Sequence, residues 1–219
     1  IISPEPYRIW EYYNQKCNLP QGYDIAINNK GLRDLPKPRM FLSKEEMIMG
    51  RQIVNQVKER LQKEKTVIIQ PFGRGVQHVD NSFIDNTGRS IEYKDFKALI
   101  KKLQEQDFAV ISMAEMGFDF SKDKLPFDVA MPEQVSLRHW TAAIKFANHF
   151  IGCDSVGQHL AYIMDTPSTV ICGPTFPVNI SYPECEYFNI VDLGMKDRVY
   201  DPIRIMPDET TSRHNENLM

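Results

Sequence analysis

The hydrophobic positions of the first 65 residues follow two different patterns. Residues 1–40 are rich in proline, asparagine and tyrosine and show no sustained periodicity, which predicts an irregular arm or the remnant of an N-terminal domain. Ser43, followed by Glu46 three positions later, has the sequence of a helix capping box. Apolar residues then recur at helical spacing, and this periodicity predicts a helix over about 44–63.

Short apolar runs alternate with helical patterns from Thr66 onwards. The alternation predicts right-handed βαβ crossovers, and therefore an α/β fold with a Rossmann-like parallel sheet covered by helices on both faces. We assign 41–205 to one such domain and 206–219 to a mobile tail, and we expect 76–90 to form a polar loop. The expected strands are 66–70, 108–112, 150–153, 169–172 and 188–191. The expected helices are 93–103, 136–147 and 157–164, and Ser136 can cap the second of them.

Composition narrows the range of functions. A chain of 219 residues that is 42% hydrophobic can bury one sizeable core. Its net charge of -3 argues against nucleic acid as the main partner. Residues 66–219 contain 21 acidic residues and only 14 basic ones. An anionic ligand would therefore have to be bound by a few placed cations and by backbone amides.

The four cysteines show neither a CxxC pair nor the spacing of metal ligands. Cys153 and Cys172 lie in apolar runs and are expected to be small core residues, which favours a reduced, cytoplasmic compartment. No apolar run approaches the roughly 18 residues of a transmembrane segment, and no signal peptide is recognisable. The chain begins at Ile1 without a methionine, so we expect it to be a fragment of a longer protein.

The strongest candidate site follows the apolar run 150–153. A buried strand is expected to end at Asp154, and a helix begins within two or three residues. The free amides and positive dipole of a helix start suit a phosphate, which Gly157 would let approach and His159 could contact. The alternative is a structural turn, in which Ser155 and Gln158 form a capping box and the histidine only supports the fold.

The turns after the neighbouring strands offer further candidates. Gly73 and Gly75 flank Arg74, so this turn could present two amides and a guanidinium to a diphosphate. Arg89, before the expected helix 93–103, is a second cation, and Thr175 follows the strand 169–172. Tight-turn geometry, a solvated arginine and a hydroxyl bonded to its own backbone are the respective alternatives.

Glu115 follows the strand 108–112, where an acidic residue can bind a ribose diol, although it could equally be exposed and inert. The sequence contains no Asp-x-Asp dyad, Walker loop or GxSxG motif, and no GxGxxG follows a strand, which disfavours a dinucleotide-binding domain. His78 and Asp80 form at most a two-ligand pair, so we expect surface residues and predict neither a metal site nor a cofactor.

Two sequence runs resemble a known family. FIGCDSxxxHLA at 150–161 and PSTVICGPTxP at 167–177 are similar to the C-terminal domain of the heptosyltransferase family of glycosyltransferases, which includes the ADP-heptose:lipopolysaccharide heptosyltransferases. Ser136-Leu-Arg and the turn at Pro71 add looser likenesses, and the resemblance extends over about 41–195.

The resemblance implies one half of a GT-B architecture, in which the second of two Rossmann-like domains binds the donor and transfer inverts the anomeric centre without a metal. The partner would be a nucleotide-diphosphate sugar of the ADP-heptose type, with a glycan or lipopolysaccharide-type acceptor. Carried over by position, Glu115 would bind the ribose, and Val135 and Leu137 would flank the base. The diphosphate would be bound by Gly73, Arg74, Arg89, the amides after Asp154, and His159.

Departures from the family pattern leave alternatives open. Val156 stands where glycine is usual, Phe176 replaces a common aspartate, and the 75–88 loop is longer, so the donor sugar and base stay undetermined. The family's catalytic base belongs to an N-terminal domain that 1–40 cannot supply, and we assign no catalytic residue. The chain is then either the donor-binding part of a hexosyl- or heptosyltransferase whose N-terminal domain lies elsewhere, or a non-catalytic binding or structural module with the sugar-nucleotide fold.

Overall fold

A five-stranded parallel sheet forms the centre of the protein. The structure, a computed structural model, describes residues 4–73, 76–79, 82–85, 87–113 and 135–194. The strands lie in the order β4-β1-β5-β6-β7, and all neighbouring pairs are parallel, as the alternating sequence pattern predicted. In chain order the strands are β1 (Lys65–Gln70), β2 (Val76–Val79), β3 (Ser82–Asp85), β4 (Phe108–Ser112), β5 (His149–Cys153), β6 (Ser168–Cys172) and β7 (Phe188–Asp192).

Every helix predicted from periodicity is present, with bounds within two residues of the expected ones. Two of the predicted caps are confirmed: the Ser43 hydroxyl accepts from the Glu46 amide at 3.1 Å, and the Ser136 hydroxyl accepts from the His139 amide at 3.2 Å. No described helix combines the length and the apolar character that crossing a membrane requires. The helices are α1 (Trp10–Tyr13), α2 (Leu19–Asn28), α3 (Lys44–Leu61), α4 (Tyr93–Glu105), α5 (Leu137–Phe146), α6 (Val156–Ile163) and α7 (Pro177–Ile180).

Helices cover both faces of the sheet, as expected for this fold class. Successive residues of β1 alternate between two apolar layers, because side chains along a strand point to opposite faces. Ile68 packs with residues of α3, α5 and α6, whereas Val67 and Ile69 pack with residues of α4. At Gly50 the helices α3 and α5 approach so closely that a Cβ atom would lie 2.4 Å from the Cβ of Ala142.

The order of the strands reverses between β1 and β5. From β1 the chain first crosses to β4 on one side and then returns to β5 on the other, after which β6 and β7 follow outwards. In open parallel sheets of this topology, ligands bind in the crevice outside the carboxyl ends of the two strands at the reversal. The carboxyl ends of β1 and β5 are therefore the place where a ligand is expected.

The irregular arm predicted for 1–40 is corrected in part. Helix α2 begins with a capping box, in which the Asn18 carbonyl accepts from the Gln21 amide and the Gln21 side chain accepts from the Asn18 amide, both at 3.0 Å. The proline at position 20 lies in the first turn, where a missing N–H costs nothing. Pro20 therefore belongs to the start of a helix and not to an irregular arm. The bounds of the domain at 41 and 205 stay a prediction.

The expected polar loop over 76–90 is also wrong in part, because β2 and β3 form an antiparallel hairpin. Each strand has four residues, which is too short for a period of two to stand out from a polar sequence. His78 lies on β2. Asp80 and the predicted tail 206–219 lie outside the described residues.

Candidate functional site

Three loops meet at the carboxyl edge of the sheet. The Gly73 amide, after β1, donates to the Ser90 hydroxyl at 3.0 Å. A Cβ atom at Gly173, after β6, would lie 3.2 Å from the carbonyl of Gly88. The 87–91 loop thus contacts the turns after both strands. Because β1, β5 and β6 are parallel neighbours, the turns after them open on one edge of the sheet, where Gly73, Asp154 and Thr175 lie with Arg89.

Asp85 holds the 87–91 loop in place. Its carboxylate accepts from the amide and hydroxyl of Ser90 at 3.0 and 2.5 Å, and from the amide and hydroxyl of Thr87 at 2.8 and 2.5 Å. Burial raises the pKa of Asp85, but the hydrogen bonds from Ser90 and Thr87 lower it by more than that. The pKa of Asp85 therefore lies below its ordinary value, and the group stays ionised. Sequence analysis missed Asp85, although Asp-x-Thr is the pattern of an Asx turn.

Arg89 spans the gap between the loop and the end of β5. Its Nη1 donates to the Asp154 carbonyl at 3.3 Å, and its Nε donates to the Thr87 hydroxyl at 3.2 Å. Its Nη2 lies 3.7 Å from the position that a Cβ atom at Gly73 would take. Within the described parts of the chain, no carboxylate forms an ion pair with Arg89. The guanidinium is therefore held in place without an ion pair, while its charge also acts on the carboxyl group of the buried Asp154.

Asp154 is buried in the turn between β5 and α6, where its carboxylate accepts hydrogen bonds from two side chains. The residue is 7% exposed, and its carboxylate accepts from the Thr175 hydroxyl at 3.0 Å and from the Gln158 side chain at 3.2 Å. Burial raises the pKa of Asp154, against the opposing effect of Arg89 and of these two hydrogen bonds. These contacts explain Thr175 and Gln158 as partners of Asp154, and the ligand role of all three stays a prediction.

The start of α6 is capped by Gln70, a residue that sequence analysis did not single out. Its Oε1 accepts from the Gly157 amide at 2.7 Å, and its Nε2 donates to the Ser155 hydroxyl at 3.0 Å. The alternative of a capping box between Ser155 and Gln158 is wrong, because Ser155 makes no side-chain cap and Gln158 bonds to Asp154 instead.

Gly157 is required by contacts within the protein. A Cβ atom at this position would lie 2.5 Å from the Oε1 of Gln70 and 2.5 Å from the ring of Phe150. Both atoms are part of the buried interior, so a larger residue has no room. The sequence suggested that Gly157 lets a phosphate approach the backbone, but the Gln70 side chain already occupies that space. Contact between Gly157 and a ligand stays a prediction.

His159 is packed against a tyrosine. Its Nδ1 lies 2.8 Å from the Tyr182 hydroxyl, and the two rings meet edge to face at 5.7 Å. Burial lowers the pKa of His159 to about 4, so the imidazole is neutral at pH 7. The structural role weighed for this histidine is thus supported. Its Nε2 could donate a neutral hydrogen bond to a diphosphate only in the tautomer in which Nδ1 accepts from the Tyr182 hydroxyl.

The remaining predicted site residues are not joined to this cluster. Val135 packs on the core beside the start of α5, and Leu137 is 49% exposed in its first turn. No hydrogen bond between described residues connects either of them to Asp154 or Arg89. Three more of the predicted residues lie outside the described residues: Arg74, Gly75 and Glu115.

A cavity of about 540 Å³ borders the 87–91 loop. Its lining includes the apolar residues Phe72 and Ile171 together with Arg89 of the candidate site. Across the described parts of the chain, no group of three or more His, Cys, Asp or Glu side chains could hold a metal ion.

Comparison with solved structures identifies the fold. The Escherichia coli ADP-heptose lipopolysaccharide heptosyltransferase II matches 92% of this chain with a TM-score of 0.57 at 15% identity. A glycosyl transferase of family 9 from Veillonella parvula matches 94% of the chain with a TM-score of 0.62 at 12% identity. The chain therefore has a heptosyltransferase-like glycosyltransferase fold, and at these identities the likeness extends to the fold alone.

This chain is shorter than the proteins that it resembles. It covers 62% of the length of the E. coli structure and 61% of the length of the V. parvula structure. No protein-family model matches the sequence. A search of curated proteins likewise found no match.

Proposed function

We propose that this chain is the donor-binding part of an inverting, metal-independent glycosyltransferase of the heptosyltransferase type. The carboxyl edge between β1 and β5 binds the diphosphate of a nucleotide sugar. The observation that carries the proposal is Arg89, a fixed guanidinium without an ion-pair partner among the described residues, held between the turns after both strands. The likeness of the fold to glycosyltransferases supports it.

The diphosphate is bound by few groups. Arg89 supplies a charge-assisted hydrogen bond to one phosphate oxygen. The Ser155 hydroxyl and the Val156 amide supply two neutral donors, because the first amides of a helix have no carbonyl partner within it. Positive charge is thus provided by an arginine and a helix dipole, as expected of a sequence without an Asp-x-Asp dyad.

The rest of the donor is assigned by resemblance. Arg74 and Gly75 extend the diphosphate contacts after β1, Glu115 binds the ribose, and Val135 and Leu137 flank the base. A second Rossmann-like domain completes a GT-B cleft, supplies the catalytic base and binds the glycan or lipopolysaccharide-type acceptor. Both structural matches are longer than this chain, which is consistent with such a division.

A second candidate is a binding module with the same fold that does not transfer sugar. The capping of the Gly157 amide by Gln70 favours it, because one of the amides at the start of α6 is already bonded. The neutral state of His159 removes a second charge from the same turn. Fewer free donors and less positive charge mean weaker diphosphate binding, so this candidate differs from the first in the strength of nucleotide binding as well as in transfer.

A titration tests the proposal. The chain is titrated calorimetrically with ADP, UDP and GDP in the presence of EDTA. We expect at least one of them to bind and to raise the melting temperature, since the site needs no metal. Binding by none of them, or only after magnesium is added, would contradict the proposal.

We further expect no transfer by the 219-residue chain alone, so turnover of a nucleotide sugar by the purified chain would refute the division into two domains.

A further inference from the structure

The orientation of the Gln70 side chain follows from its neighbours. A backbone amide can only donate a hydrogen bond, so the Gln70 atom 2.7 Å from the Gly157 nitrogen must be the carbonyl Oε1. The Nε2 group then faces the Ser155 hydroxyl at 3.0 Å and donates to it. No flip of the amide satisfies both partners.

This orientation fixes the direction of the Ser155 hydroxyl. Its oxygen accepts from Gln70, so its own proton points away from Gln70. Within the described residues, the hydroxyl donates to no side chain or carbonyl. Ser155 is partly exposed at the edge of the sheet, whereas Gln70 is only 8% exposed. The hydroxyl is thus a donor without a partner among the described residues, held at the carboxyl edge of the sheet by a buried side chain.

The place of this pair in the sheet makes it relevant to a ligand. Gln70 is the last residue of β1 and pairs with Gly152 of β5 across the reversal of strand order. The same side chain that orients Ser155 also occupies the Gly157 amide. The Gly157 amide is therefore not available to an anion, whereas the Ser155 hydroxyl and the Val156 amide, also at the start of α6, remain available.

Resting on the proposed function, we infer that Gln70 is a positioning residue of the diphosphate site, which presents the Ser155 hydroxyl proton to a phosphate oxygen. Gln70 itself does not contact the ligand. It determines that Ser155 donates, and it removes the Gly157 amide from the donors that the helix start offers. This gives a reason for an amide at position 70, since a carboxylate of the same shape would accept the Ser155 proton and turn it away from the ligand.

Replacing Gln70 with glutamate tests the inference. The ionised carboxylate still accepts from the Gly157 amide, but it also accepts from the Ser155 hydroxyl, whose proton then turns away from the ligand. With the repulsion between the carboxylate and the diphosphate, we expect Gln70→Glu to raise the Kd for the best nucleotide about 10- to 100-fold at pH 8. Gln56→Glu, at an exposed position of α3, is the control for net charge and should bind like the parent.

The pH dependence separates positioning from general damage. A protonated glutamate carries an O–H that donates to Ser155 and a carbonyl that accepts from Gly157, so it reproduces the contacts of glutamine. The ratio of the Kd of Gln70→Glu to that of the parent should therefore fall towards one as the pH is lowered from 8.5 to 5. A ratio above about 10 that does not change with pH would indicate structural damage and overturn the inference.

A second variant, Ser155→Ala, tests the role of the Ser155 hydroxyl even if Gln70→Glu does not fold. Ser155→Ala should raise the Kd about 10-fold in the parent background and cause no further loss in the Gln70→Glu background. Equal binding by Ser155→Ala and the parent would overturn the inference and leave the proposed function intact. Failure of the parent to bind any of the three nucleotides would overturn both.

Discussion

Replacing Arg89 with alanine is expected to raise the Kd for the best-binding nucleotide diphosphate about 10- to 150-fold, because a charge-assisted hydrogen bond to phosphate contributes about 1.5–3 kcal/mol. The guanidinium is already held by Thr87 and by the Asp154 carbonyl, so little ordering of the side chain opposes binding. Calorimetric titration at fixed salt measures the change, and an unaltered melting temperature excludes unfolding as its cause.

The control for this variant has to be an arginine without a structural task. Arg138, which lies in the first turn of α5 and would seem a neutral choice from the sequence, pairs with Glu46 and donates to the Phe41 carbonyl at 2.6 Å. Its hydrogen bond lowers the pKa of Glu46 to about 2, and the pair links α5 to α3. Arg39 is exposed and pairs with no carboxylate in the part of the chain that the structure describes, so Arg39→Ala is the matched control. If Arg89→Ala and Arg39→Ala bind nucleotide equally, Arg89 is not part of a diphosphate site.

Replacing Asn179 with alanine is expected to lower the free energy of unfolding by about 2–4 kcal/mol, since two buried carbonyls lose a donor. The Asn179 side chain donates to the carbonyls of Tyr12 and Cys17, both at 2.8 Å, and the residue is 1% exposed. This amide is the polar link between α7 and the N-terminal helices. Urea denaturation gives the free energy, and hydrogen exchange of residues 19–28 reports whether the segment separates first.

An exposed asparagine gives the comparison for Asn179→Ala. Asn55→Ala, on the outer face of α3, removes the same group without a buried partner and should change the free energy of unfolding by less than about 0.5 kcal/mol. If Asn179→Ala is equally mild and the exchange of 19–28 is unchanged, the N-terminal helices are not held by this contact.

The N-terminal helices also reach the candidate site. Phe176 packs against their apolar cluster of Tyr12, Tyr13, Cys17 and Ile25. The preceding residue, Thr175, donates to Asp154. The phenylalanine that departs from the family pattern is thus explained by the N-terminal segment, which supports the turn after β6 from outside.

The parts of the fold that depend on long periodic patterns could be predicted from the sequence. Strand β4 has the expected bounds, and α3 and α5 begin at the serine caps that the sequence indicates. The shared carboxyl edge followed from the same alternation, because loops after parallel strands must meet there. Gly73, Asp154 and Thr175 follow strands of the sheet and lie at this edge, where Arg89 joins them from the 87–91 loop.

The contacts that decide what these residues do could not be predicted. Gln70 and Gly157 are 87 residues apart in sequence, and nothing in their local patterns indicates that one caps the other. The same holds for Asn179 and Tyr12, which are separated by 167 residues. In both cases a buried polar group finds its partner only after the sheet has assembled, so tertiary structure replaces the local cap that sequence analysis considered.

The edge between β1 and β5 is proposed to bind a nucleotide diphosphate, and mapping the bound nucleotide by NMR tests this proposal most directly. The ¹⁵N-labelled chain is titrated with the best nucleotide in EDTA, and the amide resonances are followed. We predict saturable shifts at Gly73, Arg89, Ser155 and Val156, with none in helix α2. Shifts confined to residues at the opposite edge of the sheet, or no saturable shift at all, would contradict the claim.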